Sequence, residues 1–165
     1  MYSMSPEKTL ILQAILEKLK ADHSLLLQAA QASHAAATDA ENIPDNKYET
    51  LALEASYIAQ GQANRAAEIR RALESYRQLR LLDFGADAPI RLTALVELED
   101  DEGRRQRVFL GPAAGGLKLA TAGTELMVIT PESPLGRELI GLRCGDAFEF
   151  SSGGRVKEYE ILSVR

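Results

Sequence analysis

The stretch LESYRQLRLLDFGADAPIRLTALVELED, residues 73–100, decides the fold because the spacing of its apolar residues changes within it. Up to about Leu81 the apolar side chains recur every three or four residues, which is the period of an amphipathic α-helix. After Gly85 they recur every second residue, which predicts a strand with one buried face. These residues are Ile90, Leu92, Ala94, Val96 and Leu98. We therefore expect a helical domain at residues 1–85 and a β-rich domain at residues 89–165.

Upstream of this stretch, the sequence predicts two long helices paired as an antiparallel hairpin. Ser5 and Pro6 supply an N-cap and a first-turn proline for a helix that extends to about Asp39. Pro44, among Asn and Asp residues, marks a turn, and a second helix is expected over residues 46–81. The apolar seam alternates steps of three and four residues, as in a coiled coil. Its residues are Leu12, Leu16, Leu19, His23, Leu26, Ala30, Ser33 and Ala37 in the first helix and Tyr48, Leu51, Ala55, Ala59, Gln62, Ala66, Ile69, Leu73 and Tyr76 in the second.

Gly61 lies inside the second predicted helix, where a glycine costs about 1 kcal/mol relative to alanine. With the turn centred near Ile43, the antiparallel register places Gly61 opposite Leu25, Leu26 and Leu27. We interpret the missing side chain as space for these leucines.

Downstream of the stretch, short strands alternate with turn residues. A turn at residues 100–103 leads into a partner strand that ends at Leu110, and a further strand is expected at residues 125–130. Ser133 and Pro134 begin a short helix. A closing hairpin ends the sequence, with strands at 147–150 and 156–164. Several antiparallel strands and one helix predict the class α+β.

The charge of the chain limits its partners. The formal net charge is −5, from 24 acidic and 19 basic residues, and there is no basic cluster. Independent nucleic-acid binding is not expected, so any nucleic acid must be reached through a protein partner. The single cysteine, Cys144, excludes an internal disulfide and is expected to be buried. With no signal-like start and no apolar run of about 20 residues, we expect a cytoplasmic monomer without a membrane span.

One motif is specific enough to suggest a family. Residues 128–141 read VITPESPLGRELIG, and they are followed by Gly145-Asp146 and by YEIL at residues 159–162. In this order the three segments resemble the signature of Gre-type (GreA/GreB) bacterial transcription elongation factors. The resemblance covers about residues 90–165, whereas the hairpin before it agrees in architecture more than in sequence.

The resemblance implies an FKBP-like C-terminal domain that docks on bacterial RNA polymerase at the rim of the secondary channel. The residues implied for docking are Ser133, Pro134, Leu135 and Gly136, which we expect in an exposed loop and helix start. The alternative is that Pro134 simply begins the helix and Leu135 fills the core. The hairpin would enter the channel, where two acids at its tip would share a Mg²⁺ ion with the polymerase as it cleaves a backtracked transcript. By this resemblance the chain is no enzyme itself and has no cofactor of its own.

The tip, near residues 39–46, departs from the family pattern of an acid, two residues, Glu-Asn, two residues and Tyr. Counting back from Tyr48 places Glu41 on the first acid but Pro44 on the second. Asp45 fits the second acid only after a shift of one residue. The candidate metal-binding carboxylates are therefore Glu41 and Asp45, followed by Asp39. Asp and Asn residues are also common in any helix-connecting turn, so a purely structural role is the alternative.

Three functions remain open at this point. The first is a factor that stimulates transcript cleavage by the polymerase, and the second is a channel-binding regulator or inhibitor that does not cleave. The third, a prolyl isomerase, rests only on fold analogy. The chain has no Trp and only 4 Phe, whereas isomerase pockets of this kind are lined with aromatic residues. A peptide isomerisation assay would test it.

Overall fold

Two long helices begin the fold, as the heptad spacing predicts. The computed structural model describes residues 5–41 and 46–165, and the side chains of residues 5–39 and 49–165. Helix α1 spans Pro6–Glu41 and helix α2 spans Asn46–Arg77. The second helix ends four residues before the predicted Leu81. The predicted class, helices followed by a β-rich domain, is confirmed.

The described chain divides into two compact units. One unit comprises Leu16–Glu74, which is most of both helices. The other comprises Ser75–Arg165 together with the start of the chain up to Ile15. The first turns of α1 and the last turn of α2 therefore belong to the unit that contains the sheet.

Small residues form the seam of the helical unit. The Oγ of Ser33 donates a hydrogen bond to Oε1 of Gln62 at 3.1 Å, and both residues were predicted to lie in the seam. The alanines at seam positions are buried: Ala30, Ala37, Ala52, Ala59 and Ala66. The seam therefore brings the two helices together through alanines over most of its length.

Two predictions about this unit are wrong. Leu51 was assigned to the seam but is 53% exposed, and the neighbouring Ala52 is buried instead. A Cβ on Gly61 would have no atom within 4 Å, so this glycine does not make room for leucines. Leu25 is 65% exposed, in agreement with that correction.

Six strands form one mixed sheet in the order β3-β4-β2-β1-β6-β5. Their bounds are β1 Leu95–Asp100, β2 Arg105–Leu110, β3 Lys118–Thr121, β4 Thr124–Ile129, β5 Ala147–Ser152 and β6 Arg155–Val164. Helix α3, Pro134–Leu139, follows β4. The sequence patterns had not predicted β3. The pairing of β2 with β4 is parallel, and the other pairings are antiparallel, as predicted for several of the strands.

Strand β1 begins five residues later than the alternation from Ile90 suggests. Thr93 has φ +76°, a left-handed conformation that interrupts an extended backbone. Its side chain compensates, because Oγ1 of Thr93 accepts a hydrogen bond from the backbone N–H of Leu82 at 3.0 Å. Ile90, Thr93 and Ala94 are buried and Leu92 is half-buried, so the period-two pattern reflected this burial rather than a strand.

The core of the sheet unit lies on the face covered by α3. Leu135 and Leu139 from α3 belong to one buried cluster with residues of four strands: Val96, Leu98, Val108, Leu110, Ile129, Ile161 and Val164. The alternate strand residues Leu95, Phe109, Leu126 and Val128 are buried as well. Since successive side chains of a strand point to opposite faces, both faces of the sheet are covered at its centre.

Helices α1 and α2 each contribute a polar anchor to the sheet unit. Lys8 donates to the backbone carbonyls of Leu82 and, at 3.1 Å, of Arg165. The hydroxyl of Tyr76 donates to the carbonyl of Ala113 at 2.6 Å. Burial of Tyr76 is complete and raises the pKa of its hydroxyl above the ordinary value. These bonds connect both helix ends to segments far away in sequence.

Two further expectations concern Cys144 and membrane-spanning helices. Cys144 is exposed, so the prediction of a buried cysteine is wrong; its thiol donates to the carbonyl of Leu162 at 3.2 Å. Among the described residues, no helix is long and apolar enough to cross a membrane.

Candidate functional site

The start of helix α3 is built by Ser133, as the Ser-Pro sequence predicts. Its backbone is extended, and its Oγ accepts a hydrogen bond from the N–H of Gly136 at 3.1 Å. The same hydroxyl donates to the carbonyl of Thr130 at 2.7 Å. Pro134 occupies the first helical turn, where its missing N–H costs nothing. The turn after β4 is thereby fixed and holds Pro134 at the surface.

Only part of the predicted docking motif is exposed. Pro134 is exposed and Ser133 is half-buried. Leu135 lies in the core cluster. Gly136 is also buried, and it packs so closely that a Cβ at this position would lie 1.9 Å from the carbonyl oxygen of Thr130. The expectation that all four residues are exposed is therefore wrong for Leu135 and Gly136. These two residues pack inside the turn, and Pro134 forms the exposed surface at this point.

A groove opens beside Pro134 on the α3 face of the sheet, with a volume of about 500 Å³. Its walls come from strands β2, β4, β5 and β6, the loop at Gly115 and Gly116, and the start of α3. The apolar lining residues are Met127, Ile129, Pro134, Leu135, Phe150 and Tyr159. The polar ones are Gln106, Thr130, Ser133 and Ser152. The groove exists because α3 has only six residues and covers only part of the sheet.

The chemistry of this groove suits binding rather than acid–base work. Apart from Tyr159, none of its described lining residues carries an ionisable side chain. Next to the groove, the ring of Tyr159 stacks on that of Phe148, with centroids 5.5 Å apart. Hydroxyl and amide groups at Gln106 and Ser152 can orient a bound group, while the apolar lining can bury it. A partner's apolar side chain fits this mixture.

The floor of the groove was not predicted from the sequence as a site. Phe150 and Tyr159, which line the groove, and Phe148 beside it were assigned to the closing hairpin without a role. Their alternation could have placed them on one face, since Phe148 pairs with Tyr159 across β5 and β6. What the sequence could not show is that the short α3 leaves this part of the face uncovered.

The second candidate site, the tip, lies largely outside the described residues. Asp39 is exposed near the end of α1. Glu41 is the last residue of α1, and its side chain, like all of Asp45, is not among those described. Convergence of the three carboxylates therefore stays a prediction. Within the described ranges, no group of three or more His, Cys, Asp or Glu residues is placed to hold a metal ion.

Comparison with known structures gives several likenesses of low identity. Gfh1 of Thermus aquaticus is 23% identical with a TM-score of 0.41, covering 92% of this chain and 94% of that one. GreA factor homolog 1 (Gfh1) of Thermus thermophilus is 19% identical with a TM-score of 0.38, covering 93% and 94%. A GreA/GreB factor from Nitrosomonas europaea is 21% identical with a TM-score of 0.37, covering 63% and 78%. No curated protein matches the chain significantly.

The family comparison is more direct. The model described as "Transcription elongation factor, GreA/GreB, C-term" matches residues 87–165, the segment that contains the sheet, helix α3 and the groove. This range agrees with the one over which the sequence motifs resemble the family. Residues 87–165 thus match the C-terminal domain of GreA/GreB transcription elongation factors, the family that the sequence motifs resemble.

Proposed function

We propose that the chain binds bacterial RNA polymerase through its C-terminal domain and modulates transcript elongation. The observation that carries this proposal is the apolar groove beside the exposed Pro134, in the domain that the family comparison identifies. Residues whose large side chains fill a desolvated pocket contribute most of the energy at many protein interfaces. The groove offers such a pocket to the polymerase.

The rest of the chain would act from this docking point. Helix α1 has 36 residues, which corresponds to a length of about 54 Å at 1.5 Å per residue. By the family resemblance, the hairpin would enter the secondary channel of the polymerase, with its tip directed toward the active centre. Nothing in this role requires the chain to contact nucleic acid itself.

The finer part of the proposal is stimulation of transcript cleavage. Glu41 and Asp45, with Asp39 as the third candidate, would help hold a Mg²⁺ ion that belongs to the polymerase site. Carboxylates suit this hard cation. A second metal ion stabilises the attacking and leaving oxygens of an in-line displacement, so the polymerase would carry out the cleavage and the chain would assist.

A non-cleaving regulator of the same channel is the second candidate. It is favoured by Pro44, which stands where the family pattern has its second acid. Without that carboxylate the tip would occupy the channel but leave the metal ion incompletely coordinated.

The length of the RNA in backtracked elongation complexes distinguishes these candidates. Purified chain is added to stalled complexes, and the transcript is followed beside a measurement of binding. Shortened RNA supports cleavage stimulation, and intact RNA with retained binding supports the non-cleaving regulator. Absence of binding would contradict both.

A further inference from the structure

Strand β5, Ala147–Ser152, forms one edge of the six-stranded sheet. It pairs with β6, and in the described part of the chain no strand pairs with its other side. Proteins commonly protect such an edge with lysine, with proline or with a very short strand. The sequence AFEFSS contains neither lysine nor proline, and Glu149 is its only charged residue. The free edge of β5 is therefore open to the addition of another strand.

The turn after β5 determines which backbone groups face this free edge. Gly153 and Gly154 have φ +60° and +79°, as in a two-residue type I′ hairpin turn, and Ser152 pairs with Arg155 across them. Because hydrogen-bonded and non-bonded pairs alternate from this closing pair onward, every second residue of β5 bonds to β6. The backbone N–H and C=O groups that face outward belong to Ala147, Glu149 and Ser151.

The two faces of β5 differ in chemistry. Phe148 and Phe150 lie on one face, where they are half-buried against the core of the sheet unit. Glu149 is exposed on the other face, directly opposite the exposed Glu158 of β6. Like charges in this position destabilise a sheet, and neither carboxylate forms an ion pair within residues 5–41 and 46–165. An added strand would meet apolar surface on one face and uncompensated negative charge on the other.

This difference between the faces decides among the candidate occupants. A second copy of β5, paired antiparallel through the outward-facing residues, would place two Glu149 side chains opposite each other and beside both copies of Glu158. That arrangement is unfavourable, since four carboxylates would lie close together on one face. A strand with basic side chains on the same face would instead neutralise Glu149 and Glu158.

We propose that the free edge of β5 binds an extended protein segment in which basic and apolar residues alternate, as a seventh strand of the sheet. The outward-facing backbone groups of β5 would supply the affinity, as in other cases of strand addition. Glu149 and Glu158 would select basic side chains, while Phe148 and Phe150 would select apolar ones. This inference goes beyond polymerase binding and does not depend on it.

The test titrates the full chain with a capped peptide of alternating lysine and valine, six residues long like β5, and follows the backbone amides by NMR. At saturation, hydrogen exchange of the outward-facing amides of Ala147, Glu149 and Ser151 should slow at least about tenfold. The amides of Phe148 and Phe150 should change less, because they already bond to β6. Absence of peptide binding, or binding that leaves the three outward-facing amides unprotected, would overturn the inference.

Protein variants test the selection of basic residues. Glu149→Lys should weaken peptide binding at least about fivefold, because an attraction becomes a repulsion. Glu149→Gln should weaken it less, and this variant serves if the lysine variant fails to fold. The matched control is Glu125→Lys, which reverses an exposed charge on β4 and should bind within about twofold of wild type. Equal affinity of wild type and both Glu149 variants would show that the proposed selection is wrong.

Peptide variants test the backbone contact. A peptide with methyl groups on the amide nitrogens that would face β5 should not bind, since these nitrogens can no longer donate hydrogen bonds. A peptide of alternating glutamate and valine should not bind either, because its charges repel Glu149. Retained binding of either peptide would contradict strand addition by a basic segment. If sedimentation shows a dimer whose β5 amides are protected without any peptide, the occupant is a second copy and the inference is wrong.

Discussion

A Cβ atom on Gly136 would lie 1.9 Å from the carbonyl oxygen of Thr130, closer than any real contact of this kind. The glycine of the Ser-Pro-Leu-Gly motif is therefore required by the close approach of α3 to the turn that follows β4. Its buried position makes it a supporting residue of the proposed docking surface at Pro134 rather than a contact.

Replacing Gly136 with alanine should destabilise the sheet unit. The added methyl group must push α3 away from Thr130, and overpacking of this kind costs about 1–3 kcal/mol or more. Denaturant unfolding of the full chain measures the loss. Gly85→Ala is the control, since a Cβ there would meet no atom within 4 Å. Equal stability of the two variants would show that α3 adapts easily.

Replacing Pro134 with asparagine should weaken polymerase binding while the melting temperature stays nearly unchanged. Pro134 is exposed beside the groove, whereas the N-cap bonds of the helix belong to Ser133. Pro89→Asn, at another exposed proline, is the control for a general effect of losing a proline. A parallel loss of stability and binding would indicate that Pro134 only begins the helix.

Lys8 should make the stability of the chain depend on pH above neutrality. Burial lowers the pKa of Lys8 from 10.5 to about 8, partly offset by the charge of Asp83. Between these values the unfolded chain binds a proton that the folded chain has released, so the free energy of unfolding rises with pH. Wild type should therefore gain stability relative to Lys8→Met from pH 8 to pH 10. A constant difference across this range would contradict the shifted pKa.

Asp100 should stabilise the hairpin between β1 and β2. The backbone N–H of Arg104, and then Lys157 and the N–H of Glu102, lower the pKa of this carboxyl below its ordinary value. A carboxyl with a lowered pKa stabilises the fold above its unfolded pKa, and this contribution disappears as the pH falls through the folded value. Asp100→Asn should therefore be less stable than wild type at pH 7, with the difference shrinking in acid. Asp101→Asn, at the exposed neighbour, is the matched control for removing one negative charge from this turn.

Neutralising the tip should separate cleavage from binding. Glu41→Gln and Asp45→Asn should abolish stimulated cleavage, and Asp39→Asn should reduce it less, because Asp39 is farther from the turn. Binding should be retained, since solvated carboxylates contribute little to affinity. Transcript length in backtracked complexes gives the answer for each variant. If all three single variants stimulated cleavage as fully as wild type, the tip carboxylates would have no role in cleavage.

The sequence predicted those parts of the fold that periodicity encodes. Helices, the hairpin of β5 and β6, and the cap at Ser133 follow from local patterns. The start of β1 did not, because the left-handed Thr93 is held by a bond to Leu82, which local spacing does not reveal. The exposure of Leu51 was not predicted for a similar reason. Alanine and leucine fit a heptad position equally well, and only the close approach of the two helices favours a buried alanine there.

The candidate site shows the same limit of prediction from local sequence patterns. The Ser-Pro-Leu-Gly motif predicted an exposed loop and helix start, but it could not distinguish the exposed Pro134 from the buried Leu135. Floor residues such as Phe150 and Tyr159 come from strands far from the motif in sequence. Their meeting depends on the sheet order and on the short length of α3.

The central claim is that this chain is a polymerase-binding factor whose C-terminal domain makes the docking contact. The most direct measurement is the affinity of the full chain for purified bacterial RNA polymerase, compared with that of Pro134→Asn. We predict a saturable complex with one chain per polymerase, and clearly weaker binding of the variant at equal stability. No complex with the wild-type chain, or one that Pro134→Asn leaves unchanged, would contradict the claim.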